Sequence, residues 1–389
     1  MQIPYATEVL SFARELVRRP SPSGQERDVA ALVAQEMTML GYDEVATDEL
    51  GSVIGVLVGS APGPTVLFDA HMDVAAITEP GTWRHDPFSG ARVAGRLWGR
   101  GSADVKGNLA AALVALGALR REAFTGRLVM AASVGEETIE GLALGHILRR
   151  MGAGAVVVCE PTDLRLGLGH KGRTSVVVEA RGRAAHTSRP ELGVNAIDRV
   201  IEAIGRLRAV APRRDALLGD GVSTLVEIVS EPYPGVSMVP VGCAARFERR
   251  LVRGETPDTV LDEMRARLSG LGDVSVRLYR VSLDCYTGRT FTVDDFHPAW
   301  VLEERHPVAR AALRGLREAG LPAETFLAPY STNGVASAGA MGIPTVIYGA
   351  GDIAAAHAVD ESVRIDALQA AYRGYQALAR ALTGGMGRG

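Results

Sequence analysis

The sequence predicts an α/β protein with an inserted α+β domain, and three features of the chain lead to this fold class. Short apolar, β-branched runs alternate with helical segments over the first 160 residues, a pattern typical of a mostly parallel sheet covered by helices. Acidic residues and a histidine follow directly after several of these runs, at the strand ends where α/β sheets place their ligands. After Lys171 the pattern changes to strands of alternating polarity, which predict a separate antiparallel sheet.

Glycine, proline and N-capping residues bound the elements of the first part. Helices are predicted over residues 6–19, 25–40, 104–119 and 141–151, and strands over residues 52–58, 65–69, 127–134 and 155–159. The third of these helices follows a glycine-rich turn and consists almost entirely of Ala, Leu and Val, so we expect it to be buried.

The remaining elements fall into an insert and a return to the first domain. In the insert, strands are predicted over residues 174–180, 223–229, 243–251 and 274–283, and helices over residues 195–210 and 258–268. After residue 286 come a helix over 306–320, a short strand over 344–349 and a terminal helix from Ile365. Candidate metal ligands lie on both sides of the insert. Residues 1–172 and 286–389 are therefore predicted to form one catalytic domain, with residues 173–285 as the insert.

The overall composition is that of an ordinary globular protein and argues against several functional classes. The chain has 389 residues and a net charge of −3 without a long basic run, so we expect two domains and no nucleic-acid partner. Its first 19 residues are typical of an amphipathic helix rather than a signal peptide, and no apolar stretch is long enough to span a membrane. Three widely spaced cysteines fit a reducing compartment, so we expect a cytoplasmic protein without a membrane partner.

Asp104 lies in the glycine-rich turn, at the predicted start of the buried helix. Taken alone, a carboxylate there is most simply a helix cap, because free N–H groups and the helix dipole favour negative charge. Its companions in the sequence favour a metal site instead, since carboxylates and imidazoles are the ligands that zinc and related ions take. These companions are His71, Asp73, Glu136, Glu137, Glu160 and His357.

The spacing of these residues suggests which of them bind metal and which have other roles. His71 and Asp73 are two residues apart at a strand end, so His71 can bind a metal while Asp73 orients it. Glu136 and Glu137 are adjacent and point in opposite directions in extended backbone. One of the two glutamates can therefore bind a metal while the other remains free as a base.

Motifs along nearly the whole chain resemble, in the right order, those of the M20 clan of metallo-aminopeptidases and deacylases. This clan includes acetylornithine deacetylase, succinyl-diaminopimelate desuccinylase, aminoacylase and carboxypeptidases of the glutamate type. The motifs are DAHMD (69–73), WRHDPF (83–88), GRGSADVKG (99–107), GEE (135–137), CEPT (159–162), AHTS (185–188), GVNAI (193–197), RL (250–251), GET (254–256), GIP (342–344) and AH (356–357). Two further motifs, YTG (286–288) and STNG (331–334), lean toward a subgroup of hydrolases linked to selenium metabolism.

The resemblance implies a zinc-peptidase-like fold and two divalent metal ions, with zinc as the first expectation and cobalt or manganese as alternatives. The implied ligands are the bridging Asp104, the pair His71 and Glu160 at one ion, and the pair Glu137 and His357 at the other. A water between the ions would be the nucleophile. Glu136 would take its proton as general base and pass it to the leaving amine.

The resemblance also implies roles for residues of the insert, which would serve as a lid and dimerisation domain. His186 would reach the oxyanion of the tetrahedral intermediate from the other subunit of a homodimer. Arg250 would hold a substrate carboxylate, although three neighbouring arginines crowd it and a solvated strand-edge charge is an equal alternative. The other predicted substrate-binding residues are Asn195, Thr332, Asn333 and Gly349.

We therefore predict an amidohydrolase that acts on a small substrate bearing a carboxylate. The first interpretation is removal of an acyl group from an N-acyl amino acid. The second is cleavage of a di- or tripeptide by a peptidase or carboxypeptidase. A third, a metal-binding protein without catalysis, would have no need of the base Glu136 beside five ligands.

Overall fold

The computed structural model of this chain describes residues 5–385, so the outermost ends of the predicted catalytic domain lie outside the described residues. The α-helices in this range are α1 (Tyr5–Val17), α2 (Arg27–Met39), α3 (Lys106–Gly117), α4 (Leu142–Met151), α5 (Ala196–Arg208), α6 (Pro257–Leu268), α7 (Pro307–Glu318) and α8 (Ile365–Gly385). Every helix predicted from the sequence is present, with ends shifted by a few residues. Within the described range, no helix combines the length and the apolar character that crossing a lipid bilayer requires.

The strands are short and numerous. They are β1 (Glu44–Thr47), β2 (Val53–Val58), β3 (Thr65–His71), β4 (Ala91–Val93), β5 (Arg96–Trp98), β6 (Arg127–Ser133), β7 (Ala155–Val158), β8 (Leu166–His170), β9 (Gly172–Arg181), β10 (Arg214–Asp215), β11 (Gly219–Asp220), β12 (Val222–Glu231), β13 (Gly242–Leu251), β14 (Val274–Leu278), β15 (Arg280–Asp284), β16 (Thr290–Asp294), β17 (Phe296–His297), β18 (Trp300–Val301), β19 (Thr325–Ala328), β20 (Thr345–Ile347) and β21 (Ser362–Arg364).

The largest sheet is mixed, with the strand order β1-β2-β6-β3-β7-β20-β8-β18 and with β19 beside β8. Its centre is parallel, because β3 runs parallel to its neighbours β6 and β7, and β20 runs parallel to β7. One edge is antiparallel, where β2 pairs with β1 and with β6. Since β3, β6 and β7 are parallel neighbours, their carboxyl ends meet at one edge of the sheet, where a site can form.

Apolar side chains bury the central strands. From α4, Leu144, Ile147 and Leu148 pack in one cluster with strand residues such as Leu67. The helix α3 is buried at every position from 106 to 116 and packs against α1, α8 and β3. Burial of the central strands explains why they are almost continuous runs of Val, Leu and Ala rather than alternating sequences.

The chain divides into two compact units. Unit 1 comprises Met1–His170, Ser282–Phe291 and Val301–Gly389, and unit 2 comprises Lys171–Val281 and Thr292–Trp300. Unit 2 contains an antiparallel sheet of order β12-β13-β9-β14, with β17 also paired to β9. Residues of α5 and α6, such as Val200 and Met264, form a core with this sheet. The predicted fold class, a mainly parallel sheet plus a separate antiparallel one, is confirmed.

The strands differ from the sequence prediction more than the helices do, because many of the short strands, such as β1, β4 and β21, are not predicted. The single strand expected over 274–283 is divided into β14 and β15, and β15 pairs with β16 in a sheet of its own. The strand β8 is not predicted from the sequence, because Gly167 and Gly169 interrupt its apolar pattern. A Cβ atom on Gly167 would lie 2.9 Å from Cβ of Ile347, so glycine allows β8 to lie close to β20.

Candidate active site

Three neighbouring strands of unit 1 end at the candidate site. His71 is the last residue of β3, Glu136 follows β6, and Glu160 follows β7. The Nε2 atom of His71 lies 3.7 Å from Oε1 of Glu160 and 3.8 Å from Oε2 of Glu136. All three side chains are buried. The parallel centre of the sheet thus brings together residues that are far apart in the sequence.

Asp104 joins this group to a second one. Its Oδ1 atom lies 3.2 Å from Nε2 of His71, and its Oδ2 atom lies 3.4 Å from Nε2 of His357. His357 Nε2 also lies 3.0 Å from Oε2 of Glu137. The structure therefore brings the five predicted ligands together as two groups that share one carboxylate.

The chemistry of these donors fits divalent metal ions. His71, Asp104 and Glu137 each offer one ligand atom, and the three atoms lie within 4.8 Å of one another. Burial raises the pKa of Glu136 and of Glu160 well above the ordinary range, and neighbouring carboxylates add to this effect. Carboxylates packed this closely repel one another unless cations lie between them. Oxygen and imidazole donors are also those that zinc-like ions take.

Asp73 organises more of the site than the orientation of His71. The Nδ1 atom of His71 lies 2.9 Å from the main-chain oxygen of Asp73, and an N–H donated there leaves the Nε2 lone pair free for a metal. The Asp73 carboxylate accepts the main-chain N–H groups of Glu136 at 3.1 Å and of Glu137 at 3.0 Å. It also accepts the hydroxyl of Ser23 at 2.6 Å. Asp73 thus positions both the β3 histidine and the turn after β6.

The two adjacent glutamates have different surroundings. They lie in a turn rather than in the extended backbone considered from the sequence. Glu137 contacts His357, whereas Glu136 lies beside His71 with a side chain that is only 9% exposed. Burial raises the pKa of the Glu136 carboxyl group, so this group holds a proton more readily than an exposed glutamate, as a proton carrier must.

Two buried glutamates that the sequence analysis did not single out support the ligand-bearing turns. Glu361 accepts hydrogen bonds from the backbone of the turn that carries Asp104. Glu26 accepts the N–H of Gly135 at 3.1 Å, next to the adjacent glutamates. Burial, together with a neighbouring carboxylate in each case, raises the pKa of both acids to about 7. The sequence gives one indication that Glu361 belongs to the site, because it lies four residues after the predicted ligand His357.

Three predicted substrate-binding residues of unit 1 have buried contacts. Thr332 is fully buried, and Asn333 donates to Oδ2 of Asp69 at 2.8 Å. A Cβ atom on Gly349 would lie 2.5 Å from the main-chain oxygen of Glu160, so only glycine fits beside that predicted ligand. These contacts account for the residue types at the three positions, and a role in substrate binding stays a prediction.

Unit 2 carries the other predicted residues. The Nδ1 atom of the exposed His186 accepts the main-chain N–H of Ser188 at 3.2 Å and lies 2.8 Å from the Oγ atom of the same residue. With Nδ1 as acceptor, a neutral imidazole carries its proton on Nε2. His186 therefore presents a hydrogen-bond donor to its surroundings. Asn195 caps α5, because its Oδ1 atom accepts the N–H of Ile197 at 2.9 Å. Its predicted contact with substrate stays a prediction.

Arg250 differs from the arginines that crowd it. Each neighbour has an acidic partner: Arg246 with Glu227 at 2.9 Å, Arg249 with Glu255 at 3.3 Å, and Arg253 with Asp215 at 2.7 Å. Among residues 5–385, no acidic side chain pairs with the exposed Arg250. Arg250 is thus the member of this group that can receive an external anion.

Known sequences resemble this chain over most of its length. The model of peptidase family M20/M25/M40 matches residues 67–381. The chain is 32% identical to the uncharacterised protein YgeY of Escherichia coli K12, over 92% of this chain and 90% of that protein. It is 29% identical to the succinyl-diaminopimelate desuccinylase of Rhodospirillum centenum, over 69% of this chain and 74% of the relative.

Solved structures share the fold. The aminopeptidase PepT of Bacillus cereus matches with a TM-score of 0.74 at 19% identity, over 97% of this chain and 98% of that one. The Bacillus subtilis protein YxeP, described as a dinuclear metal-binding peptidase, matches with a TM-score of 0.68 at 15% identity, over 98% and 99% of the two chains. At these identities the likeness concerns the fold alone.

Proposed function

Because this chain belongs to peptidase family M20/M25/M40 and is thereby a hydrolase of amide or peptide bonds, we propose that it removes an acyl group from small N-acyl amino acids. The position of Asp104 carries the proposal, since its two oxygens face the histidines of two separate donor groups. One relative is named a desuccinylase, which denotes removal of an acyl group, and this supports deacylation over cleavage of a peptide. The three cysteines are buried and unpaired, which favours the reducing cytoplasm as the location.

The donor set would hold two divalent metal ions, as described for YxeP. The proposed ligands are His71 and Glu160 for one ion, Glu137 and His357 for the other, and Asp104 for both. When bound, such ions acidify water and polarise the scissile carbonyl group. Zinc is the first candidate, and cobalt and manganese are the alternatives, because all three accept carboxylate and imidazole ligands.

Glu136 is the proposed proton carrier. Its carboxylate takes a proton from the attacking water and later gives that proton to the leaving amine. Burial raises its pKa, which favours the protonated form that the second step needs as its acid. The Asp73 carboxylate accepts a hydrogen bond from the backbone N–H of Glu136 and so fixes the position of the proposed base.

His186 is the proposed donor to the oxyanion that forms during the reaction, and we propose that it acts in a homodimer. Its exposed Nε2–H has the character that such a donor needs. Within the described chain, β12 forms an edge of the sheet of unit 2, and it exposes Val222, Val226 and Ile228. A long edge strand with exposed apolar side chains is protected when it pairs with a second copy across a two-fold axis.

Arg250 is the proposed group that holds the substrate carboxylate. It is exposed, and it lacks the acidic partner that each neighbouring arginine has within residues 5–385. A guanidinium group binds a carboxylate through two parallel hydrogen bonds, which gives orientation as well as affinity. This favours substrates with a free carboxylate near the amide.

A substrate screen tests the proposed function. The zinc-, cobalt- and manganese-loaded protein is incubated with N-acetyl and N-succinyl amino acids, their carboxamides, dipeptides and tripeptides, and products are identified by mass spectrometry. We expect hydrolysis of the N-acyl amino acids, with the Glu136→Gln variant inactive. Preferential cleavage of the peptides would replace deacylation by the peptidase alternative, and inactivity of every metal form would contradict both.

A further inference from the structure

Glu361 uses both carboxylate oxygens to fix one turn. Its side chain is fully buried. Oε1 accepts the main-chain N–H groups of Ala103 at 2.9 Å and of Asp104 at 3.0 Å. Oε2 accepts the N–H of Gly101 at 3.1 Å and an N–H of the Arg100 guanidinium at 2.8 Å. Four donors thus converge on one acid.

Arg100 extends this contact to the loop that carries His357. Its second terminal nitrogen donates to the main-chain oxygen of His357 at 3.3 Å. The guanidinium also lies over the ring of Trp83, 5.3 Å from its centroid. Arg100 and Glu361 together therefore connect the Asp104 turn to the backbone of a proposed ligand.

The turn needs this support because of its composition. Gly99 and Gly101 both have positive φ values, +141° and +84°, and glycine adopts many other conformations at little cost. Asp104 must direct one oxygen toward His71 and the other toward His357, so a small rotation of its backbone would misplace both contacts. Hydrogen bonds that the turn donates to the buried carboxylate of Glu361 restrict that rotation.

The two donor groups depend on this support to different degrees. His71 is buried at the end of β3, and its Nδ1 atom is bonded to the main chain of Asp73. His357 has a side chain that is 58% exposed and a backbone with a φ of +59°, and Arg100 bonds its carbonyl group. The loop-borne group should therefore be the more sensitive one.

Resting on the proposed function, we propose that Glu361, together with Arg100, is a positioning residue for the ion that Glu137 and His357 would hold. It acts through the backbone of Asp104 and of the His357 loop, without contacting substrate. Partners of this kind outside the ligand set typically change metal affinity by about 10- to 100-fold. The loss of affinity should concern the ion that Glu137 and His357 would hold, and not the ion that His71 and Glu160 would hold.

A matched pair of variants tests this assignment. Glu361→Gln keeps the side-chain shape and removes its charge. Glu255→Gln is the control, because Glu255 is a buried acid of unit 2 that likewise accepts a backbone N–H, from Val252 at 2.7 Å, and an arginine, Arg249 at 3.3 Å. Metal-free proteins are dialysed against buffered zinc, and bound zinc is counted by elemental analysis. Circular dichroism verifies folding.

We expect wild type and Glu255→Gln to bind two ions per chain. Glu361→Gln should bind the first ion normally and the second about 10- to 100-fold more weakly. Its kcat should recover at saturating zinc while KM is unchanged. Two normal ions in Glu361→Gln, or equal weakening of both, would overturn the assignment, whereas a wild type that binds no zinc would overturn the proposed function instead.

Arg100→Lys covers the case in which Glu361→Gln does not fold. A single ammonium group cannot replace the guanidinium, which reaches Glu361 and the carbonyl of His357 at once. This variant should show a smaller loss of the same second ion. Normal binding of both ions by a folded Arg100→Lys protein would contradict the inference.

Discussion

The candidate catalytic residues of unit 1 are mainly acidic, whereas those proposed in unit 2 are hydrogen-bond donors. In unit 1, five carboxylates lie close to two histidines, at and around the ends of the parallel strands. In unit 2, the groups proposed to meet the substrate are donors, the exposed imidazole of His186 and the exposed guanidinium of Arg250. A catalyst of amide hydrolysis needs acceptors that hold cations and protons, and donors that receive developing or existing negative charge. In the proposed mechanism, unit 1 would supply the acceptors and unit 2 the donors.

This comparison makes a general prediction about variants. Changes in unit 1 should alter metal content or proton transfer. Changes at the two proposed substrate-facing residues of unit 2, His186 and Arg250, should lower kcat or kcat/KM while leaving metal content intact.

Replacement of Asp104 in unit 1 should have the largest effect. Asp104→Ala removes the carboxylate that faces both histidines, so we expect loss of both ions and of all measurable activity. Elemental analysis of the dialysed protein and a deacylation assay measure this. Asp262→Ala, which changes an exposed acid of unit 2, is the control. Retention of two ions by Asp104→Ala would contradict the shared-ligand arrangement.

Replacement of Glu136 should separate proton transfer from metal binding within unit 1. Glu136→Gln keeps the shape of the side chain but cannot accept a proton, so kcat should fall by about 100- to 10,000-fold. Metal content should remain at the wild-type level. The measurement is kcat at saturating substrate and zinc, with bound zinc counted in the same sample. A normal rate at full metal occupancy would remove Glu136 from the mechanism.

Replacement of His186 tests the donor role assigned to unit 2. His186→Ala should lower kcat by about 100- to 1000-fold, as expected for loss of one donor to the oxyanion, with unchanged metal content. Loss of metal from this variant would break the division between the units.

Mixed dimers show in which subunit His186 acts. Glu136→Ala and His186→Ala chains are co-expressed with different tags, and the heterodimer is purified. One of its two sites has both groups intact only if His186 serves the partner's site. We expect recovery of up to half of the normal activity per dimer. A heterodimer as inactive as either parent, or a fully active monomer in sedimentation, is incompatible with action across the interface.

Arg250 should affect substrate selection rather than the chemical step. Arg250→Ala should reduce kcat/KM for substrates with a free carboxylate by about 2–4 kcal/mol, in line with loss of a charge-assisted pair. The corresponding carboxamides should lose much less. Arg246→Ala is the matched control, because Arg246 already has acidic partners. Equal losses for acids and amides would indicate a structural role for Arg250.

The smallest expected effect is on the stability of the fold at low pH. Here a buried acid of unit 2 has a lowered pKa, whereas buried acids of unit 1 such as Glu361 have a raised pKa. Burial alone would raise the pKa of Asp295 in unit 2, but His297, Arg173 and Ser175 outweigh it and lower this pKa to about 2. The ionised form therefore stabilises the fold fully above pH 4, and this contribution is lost as the pH falls toward 2. Asp295→Asn should flatten the pH dependence of unfolding in this window, measured by circular dichroism. An unchanged profile would show that Asp295 contributes nothing there.

The predictable part of the site lies at strand ends. His71 and Glu160 could be placed from the sequence because an apolar run ends immediately before each, and parallel strands end at a common edge. Adjacency alone could not decide between Glu136 and Glu137, and the structure separates them through the turn that Asp73 holds. Glu361 lies four residues after His357, which marks it as a neighbour of the site, but its role could not be predicted, because its partners lie about 260 residues earlier in the chain and meet it only after folding.

The exposed edge of β12 has a consequence for making and handling the protein. Ten residues of backbone, Val222–Glu231, offer pairing groups along that edge, and the strand is rich in Val and Ile. In the proposed homodimer this edge is covered by the second copy. Before the two copies meet, as during rapid synthesis or refolding, any other unpaired strand can add there. The soluble yield then depends on the kinetic competition between dimer formation and aggregation. Slow expression at low temperature favours dimer formation.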